Sequence, residues 1–414
     1  MSNSTRDIDQ LSERKELPEG WRWVKLGDVC ATTSGGTPSR GNKEFFCGNI
    51  PWIKSGELRD GFIHNAEESI TEEGLCASSA KIMPRGTLLI AMYGATVGRL
   101  GINQIDAATN QAVCGIMTNT DIETDFLFLY LLMIRDVLIN KSFGGAQPNI
   151  SQTVIQNLSI PLPPLPEQQR IASILKEQMV AVEKARTAAQ ERLKAIKALP
   201  AAFLRQIFPD PGQPLPEGWR WAKMGDVCHL KTGGTPSKSD ALNFGGDIKW
   251  LVSGDVSQGE ISDCMGRITM DGMAKSNAAL LPPGSVMIAL NGQGKTRGTV
   301  ALLCVEATCN QSLVAMIPRD RSELLPRFLL YHFQMRYKEL RDLTGDSHRS
   351  GLNIGILNRL EVILAPFDEQ QRIVALIKEQ LAAIEQARTA AEAELKAINT
   401  LPVALLRRAF NGEL

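Results

Sequence analysis

A chain of 414 residues is long enough for two or three domains of ordinary size. Hydrophobic residues make up 43% and charged residues 22%, which excludes a disordered chain. The formal net charge of +0 argues against a free-standing, non-specific nucleic-acid binder, since such proteins are as a rule basic. Any DNA contact must rest on a few local groups, or on a partner that neutralises phosphates.

In chain order, residues 1–16 read as a polar tail with no apolar core, and so not as a signal peptide. Residues 17–160 read as a mixed α/β globule. They carry short β-prone runs such as Thr87-Leu-Leu-Ile-Ala91, Gly, Pro and Asn punctuation, and one helical stretch near 125–140. The longest apolar run, Phe126 to Ile134, is too short to span a bilayer, and a cytoplasmic location is expected. Residues 161–208 begin with a Pro-rich run and continue as a helix from Glu167 to about Leu199, free of Gly and Pro inside. Pro200 should end or kink it. A Pro-rich linker, 209–214, leads to a second mixed globule at 215–365, with Ser285-Val-Met-Ile-Ala289 as a strand and a helix near 325–341. Residues 366–414 give a second long helix with Pro402 in the place of Pro200.

The second half repeats the first. Leu17-Pro-Glu-Gly-Trp-Arg-Trp23 returns as Leu215-Pro-Glu-Gly-Trp-Arg-Trp221, 198 residues later. Asn110-Gln111 returns as Asn310-Gln311, and Glu167-Gln-Gln-Arg-Ile171 as Glu369-Gln-Gln-Arg-Ile373. The stretches 167–199 and 369–401 are closely alike, with 20 of 33 residues identical, whereas 57–83 and 255–281 share little. That is the pattern of two copies of one element facing like partners through the helices and unlike targets through the globules.

The helices carry a seven-residue seam. Leu175, Val182, Ala189, Ile196 and Phe203 form one set, and Ile171, Gln178, Ala185, Arg192 and Leu199 the other. In the second copy the sets are Ile377, Ile384, Ala391, Ile398 and Leu405, with Ile373, Gln380, Ala387, Glu394 and Leu401. Such spacing predicts a coiled coil, with each helix the other's obvious partner. If the two helices pair antiparallel, the fold expected is α+β: two mixed α/β domains separated by two long helices in an antiparallel coiled coil, with internal pseudo-two-fold duplication. A helix over 167–199 would be roughly 50 Å long, enough to hold two heads about one turn of B-DNA apart, roughly 34–36 Å.

This organisation resembles the specificity subunits of type I restriction–modification systems. The residues that carry the likeness are Gly36-Thr-Pro38, Ile50-Pro-Trp52, Gly94-Ala-Thr-Val-Gly98, Asn110-Gln111 and, above all, Ile160-Pro-Leu-Pro-Pro-Leu-Pro-Glu-Gln-Gln-Arg-Ile171. The second copy departs at Leu364-Ala-Pro-Phe-Asp368 and at Asn291-Gly-Gln-Gly-Lys-Thr296. The resemblance implies a non-catalytic subunit that binds double-stranded DNA at a split, asymmetric site. It also implies two methyltransferase subunits docked through the repeated regions, and restriction/translocase subunits in the larger complex. Glu167, Gln168, Gln169 and Arg170, with Glu369, Gln370, Gln371 and Arg372, are the candidate docking residues.

Base readout needs polar or basic side chains on loops or helix ends. The candidates are Arg40, Lys43, Lys54, Arg59, Tyr93, Thr96 and Arg99 in the first globule, and Lys238, Lys249, Lys295, Thr296, Arg297, His348 and Arg349 in the second. The repeated Asn-Gln pairs suit a turn or core hydrogen-bonding role better than a DNA contact, and Trp21, Trp52, Trp219 and Trp250 are expected in the core. No cofactor, metal site or catalytic constellation is expected, and the eight cysteines read as small buried hydrophobes. Two other readings remain: a purely structural coiled-coil scaffold, and a nucleotide hydrolase built on the relaxed phosphate loop Ala289-Leu-Asn-Gly-Gln-Gly-Lys295-Thr296.

Overall fold

The computed structural model describes residues 17–141, 149–291, 296–343 and 352–414. The chain divides into two compact units, residues 1–189 with 394–414, and residues 190–393. Each unit is one globule plus a part of each long helix.

In the first unit a five-stranded sheet runs, edge to edge, Cys30–Ser34, Val113–Thr118, Leu88–Ala91, Leu100–Asn103 and Gly61–Ile63. Its middle strand, Leu88–Ala91, is buried throughout and reads as an unbroken apolar run, as a strand covered on both faces must. Alternation divides its side chains. Leu88 and Ile90 join the core under the helix Thr124–Met133, which supplies Phe126, Leu127 and Tyr130. Leu89 and Ala91 face a smaller core with Ile53, Leu58, Met83 and Val113. A three-stranded sheet, Glu68–Ile70, Ile50–Ile53 and Ala108–Thr109, completes the globule, and Arg22–Lys25 pairs antiparallel with Ser159–Leu162.

The second unit repeats this topology. Its five strands are Cys228–Thr232, Leu313–Pro318, Val286–Ala289, Val300–Leu303 and Glu260–Ile261. Its three are Arg267–Ile268, Phe244–Leu251 and Thr308–Cys309, and Arg220–Lys223 pairs with Glu361–Leu364. The helix Pro326–Met335 takes the place of Thr124–Met133.

The long helices are Leu165–Ile207 and Phe367–Phe410, and both run through their prolines. Of the expectation that Pro200 and Pro402 end or kink the helices, the ending is corrected, and what lies beyond the prolines gives the reason. In the second unit Leu204 and Phe208 are buried with Phe328 and Ile377. In the first unit Leu406, Ala409 and Phe410 are buried with Phe126, Tyr130 and Ile171. An interior proline costs about 3 kcal/mol, while burying one Leu and one Phe contributes about 3–6 kcal/mol. Within the first unit one helix leaves the globule and the other returns to it, so the two segments run antiparallel. The same holds in the second unit, where Lys197 Nζ lies 3.4 Å from a Glu392 carboxylate oxygen.

The seam differs from the expected heptads past Val182 and Ile384. Ala185, Arg192 and Leu199 are exposed, as are Ala387, Glu394 and Leu401. Leu193 and Pro200, and Leu395 and Pro402, are half-buried one residue later. An extra step of four residues accounts for the change, a local departure that unwinds a left-handed supercoil. Five cysteines are buried as expected, while Cys47, Cys76 and Cys304 are exposed. Burial pushes the Cys30, Cys114, Cys228 and Cys309 thiols up to about 12, so they remain protonated.

Candidate nucleic-acid interface

Both globules build their loops on one frame. Gly36 offers its carbonyl to the Trp52 Nε1–H at 3.0 Å, and Gly234 does the same for Trp250 at 2.9 Å. A Cβ on Gly36 would stand 2.2 Å from the Ala80 nitrogen, and one on Gly234 2.7 Å from that of Ala278, so only glycine fits either place. The Thr37 hydroxyl then donates to Gln111 Oε1, and the Thr235 hydroxyl to Gln311 Oε1 at 2.5 Å. The recurring glutamines thus join two turns in each globule. Of the four tryptophans expected in the core, Trp52 is fully buried and Trp21, Trp219 and Trp250 are half-buried.

In the first globule Arg40 and Lys54 are brought together at Glu68. The Arg40 guanidinium lies 4.4 Å from the centre of the Phe46 ring and 4.9 Å from that of Trp52, and donates to Glu68 Oε2 at 2.7 Å. Lys54 Nζ donates to Glu68 Oε1 at 3.0 Å and Glu67 Oε2 at 3.1 Å. Arg40, then Lys54, holds the Glu68 carboxyl below the usual range, and Glu68 raises Lys54 in turn. Lys43 stands exposed at the start of the short turn Lys43–Phe46. Arg59 lines a cleft of about 350 Å³ with Glu57, Phe62 and His64.

Tyr93, Thr96 and Arg99 sit on the loop after Leu88–Ala91, which turns on Gly94 at φ +84 and Gly98 at φ +76. Tyr93 is hydrogen-bonded to Gln111, and burial raises its phenol. Arg99 donates to Asp60 Oδ2 at 2.5 Å, and Arg135 binds the same carboxylate and the Gly98 carbonyl. Asp60, a non-glycine residue at φ +62, is the hub of this loop. Sequence reasoning missed Asp60 and Arg135, which lie 75 residues apart and carry no motif.

In the second globule Lys238 is exposed, and Lys249 Nζ lies 4.0 Å from Asp263, whose carboxylate Arg267 holds at 2.8 Å. Thr296 and Arg297 are half-buried. Lys295, His348 and Arg349 lie outside the described residues. The relaxed phosphate loop lies between strand Val286–Ala289 and strand Val300–Leu303, and among its described residues there is no helix whose N-terminus could face a phosphate. Among the described residues no group of three or more His, Cys, Asp or Glu could hold a metal ion, and no helix is long and apolar enough to cross a membrane.

The docking candidates divide. Gln169, Arg170, Gln371 and Arg372 are exposed, and Arg170 and Arg372 pair with Glu167 and Glu369 one turn earlier. Gln168 and Gln370 have no exposed surface, which corrects the expectation that they face a partner. Gln168 Nε2 donates to the Asp121 and Pro163 carbonyls, and its Oε1 accepts from the Glu123 N–H, all at 2.9 Å. Gln370 does the same for Glu323, Ala365 and Leu325. Each glutamine pins the start of a long helix to its own globule. Gln168→Leu leaves three backbone groups unpartnered and should lower unfolding stability by about 2–4 kcal/mol in a denaturant titration. A change within about 0.5 kcal/mol, the range of an ordinary surface substitution, would sink that role.

Two globules of one topology, each pinned to a long helix, define a duplicated domain-and-spacer protein. The family described as type I restriction modification DNA specificity domain matches residues 18–191 and again 216–395, so the chain belongs to that family of specificity subunits. It is 26% identical to the type I restriction enzyme MjaIX specificity subunit of Methanocaldococcus jannaschii over 235 residues. That match covers 53% of this chain and 54% of the relative, so it spans about half the relative's length. The MjaVIII specificity subunit of the same organism is 23% identical over 385 residues, 87% of this chain and 86% of that one. The crystal structure of the HsdS subunit from Thermoanaerobacter tengcongensis shares 26% identity, with a TM-score of 0.66 over 97% of this chain and 99% of that one. A chain solved in work on complex assembly and conformational transition of the type I R-M system gives 25% identity and a TM-score of 0.76 over 97% of this chain and 100% of the other.

Proposed function

We propose that this specificity subunit reads a bipartite, asymmetric DNA site, one half with each globule, and has no catalysis of its own. Two methyltransferase subunits dock on its repeated helical regions, and a translocating restriction subunit joins the larger complex. One observation carries this reading. The two globules keep the same frame, down to the Trp-to-Gly and Thr-to-Gln hydrogen bonds, while the charged groups mounted on it differ. A scaffold with no target would have no use for one frame decorated in two ways. Charge fits a shared task as well. Residues 17–160 hold 11 Lys and Arg against 14 Asp and Glu, and residues 215–365 hold 17 against 15. Neither globule neutralises many phosphates alone, so the methyltransferase subunits supply that part of the affinity.

Domain exchange tests the reading. Replacing residues 215–365 with the equivalent domain of a relative should change one half of the methylated site and leave the other half and the gap alone. Sequencing of methylated positions reads the outcome. An exchange that altered both halves at once would end the two-reader account.

A further inference from the structure

The second globule has a polar cleft of about 630 Å³ that none of the candidates chosen from sequence lines. One wall is the common frame, the Gly-Gly-Thr run at 233–235 with Gln311. The other is Ala274, Lys275, Ser276 and Asn277. The first wall has its match in Gly35, Gly36, Thr37 and Gln111 of the other globule, tied by the same hydrogen bond. The second wall is built alike but furnished differently. At the 198-residue spacing its counterpart is Cys76, Ala77, Ser78 and Ser79.

The short helices that lead into these walls are capped identically, Thr71 accepting from the Gly74 N–H and Thr269 from the Gly272 N–H. The serine is internal in both, since Ser78 and Ser276 each accept from a backbone N–H two residues on, at 3.2 Å. Three positions of the repeat then vary toward solvent: Cys76 against Ala274, Ala77 against Lys275, and Ser79 against Asn277. Of the second wall's three, only Lys275 and Asn277 carry side-chain groups that can hydrogen-bond to a base edge.

A cleft with one constant and one variable wall suits a ligand with one constant and one variable part. Duplex DNA is such a ligand, with the same phosphates everywhere and different base edges. Asn presents the donor and acceptor that match adenine N6 and N7, and Lys donates to guanine O6 and N7. Lys275 lies 3.9 Å from Asp240, in a long, exposed ion pair that it can leave at little cost. On the constant wall Gln311 Oε1 is taken by Thr235, which leaves its amide N–H groups to donate to a phosphate.

We propose that Lys275 and Asn277 read base edges in the half-site of the second globule, while the Thr235–Gln311 wall meets the DNA backbone. This rests on the DNA-reading function above. The test is the double variant Lys275→Ala with Asn277→Ser, which gives these two positions the side chains of their counterparts Ala77 and Ser79. Assembled with its methyltransferase subunits, it is titrated against the methylated site and against duplexes substituted singly at each recognised position. Discrimination at one or two positions of the second half-site should fall about 10- to 100-fold, the range of one good base contact. Discrimination in the first half-site should stay intact, which also reports that the complex has folded. Unchanged discrimination overturns the assignment. So does an equal loss on every duplex with a shallower salt dependence, which marks a phosphate contact only. A wild-type complex with no sequence preference overturns the DNA-reading function, and the assignment with it.

Discussion

Deleting residues 405–414 should unfold the first globule and spare the second. The deleted segment carries Leu406, Ala409 and Phe410, all buried in the first unit's main core. The Phe410 ring centre lies 5.1 Å from those of both Phe126 and Tyr130. Truncating a buried Leu costs about 2–5 kcal/mol and a buried Phe about 3–5 kcal/mol. Together that is comparable with the whole stability of an ordinary domain, about 5–15 kcal/mol. The second globule keeps Leu204 and Phe208, which fill the same place in its own core. Hydrogen exchange by mass spectrometry should report lost protection in Leu88–Ala91 and Val113–Thr118, and retained protection in Val286–Ala289 and Leu313–Pro318. Equal protection in all four strands would refute the idea that the last turns of the second helix are part of the first core.

Acid should weaken the second globule through one histidine. His332 is fully buried, stacked 5.4 Å from Phe208, and accepts from the Ile363 N–H with Nδ1 at 3.4 Å. Its Nε2 has no partner among the described residues, and in the first unit's corresponding helix Tyr130 packs on Phe410 in its stead. Burial first, and the Arg336 charge second, push its pKa down to about 3. The folded state therefore refuses a proton that the unfolded state takes up below about pH 6.5. Stability from this group is complete above pH 6.5 and falls as pH drops toward 3. The slope is about 1.4 kcal/mol per pH unit, or roughly 3 kcal/mol lost by pH 4.5. Urea unfolding of the wild type and of His332→Tyr at several pH values checks it. The variant should lose that part of the pH dependence, and parallel curves would refute the assignment.

Much of the fold could be read in advance, because duplication writes the same message twice. The Leu-Pro-Glu-Gly-Trp-Arg-Trp and Glu-Gln-Gln-Arg-Ile repeats mark two units, and the β-prone runs at 87–91 and 285–289 are central strands. Helix ends were harder. Proline rules are local, and the groups that carry the helices through Pro200 and Pro402 are core side chains from far along the chain. Gln168 reads as a docking residue because a residue repeated for packing looks the same in sequence as one repeated for a partner. The near identity of 167–171 and 369–373 was a signal for either. Lys275 and Asn277 carried no signal of their own. They stand out only when the wall opposite them is seen to be shared.

The contact of Phe410 with Phe126 also has a history in time. A ribosome that has finished the strands and helix of the first globule must add roughly 250 more residues before Phe410 exists, about 12–50 s at 5–20 residues per second. Until then the nascent globule exposes the apolar faces of Phe126 and Tyr130 that Phe410 will cover. The second globule never waits, since Phe208 is made before Phe328, the ring it packs on. Two near-copies of one domain are therefore born under opposite conditions. The first is exposed to aggregation and to holding chaperones for much of its synthesis, and the second arrives with its closing piece already made.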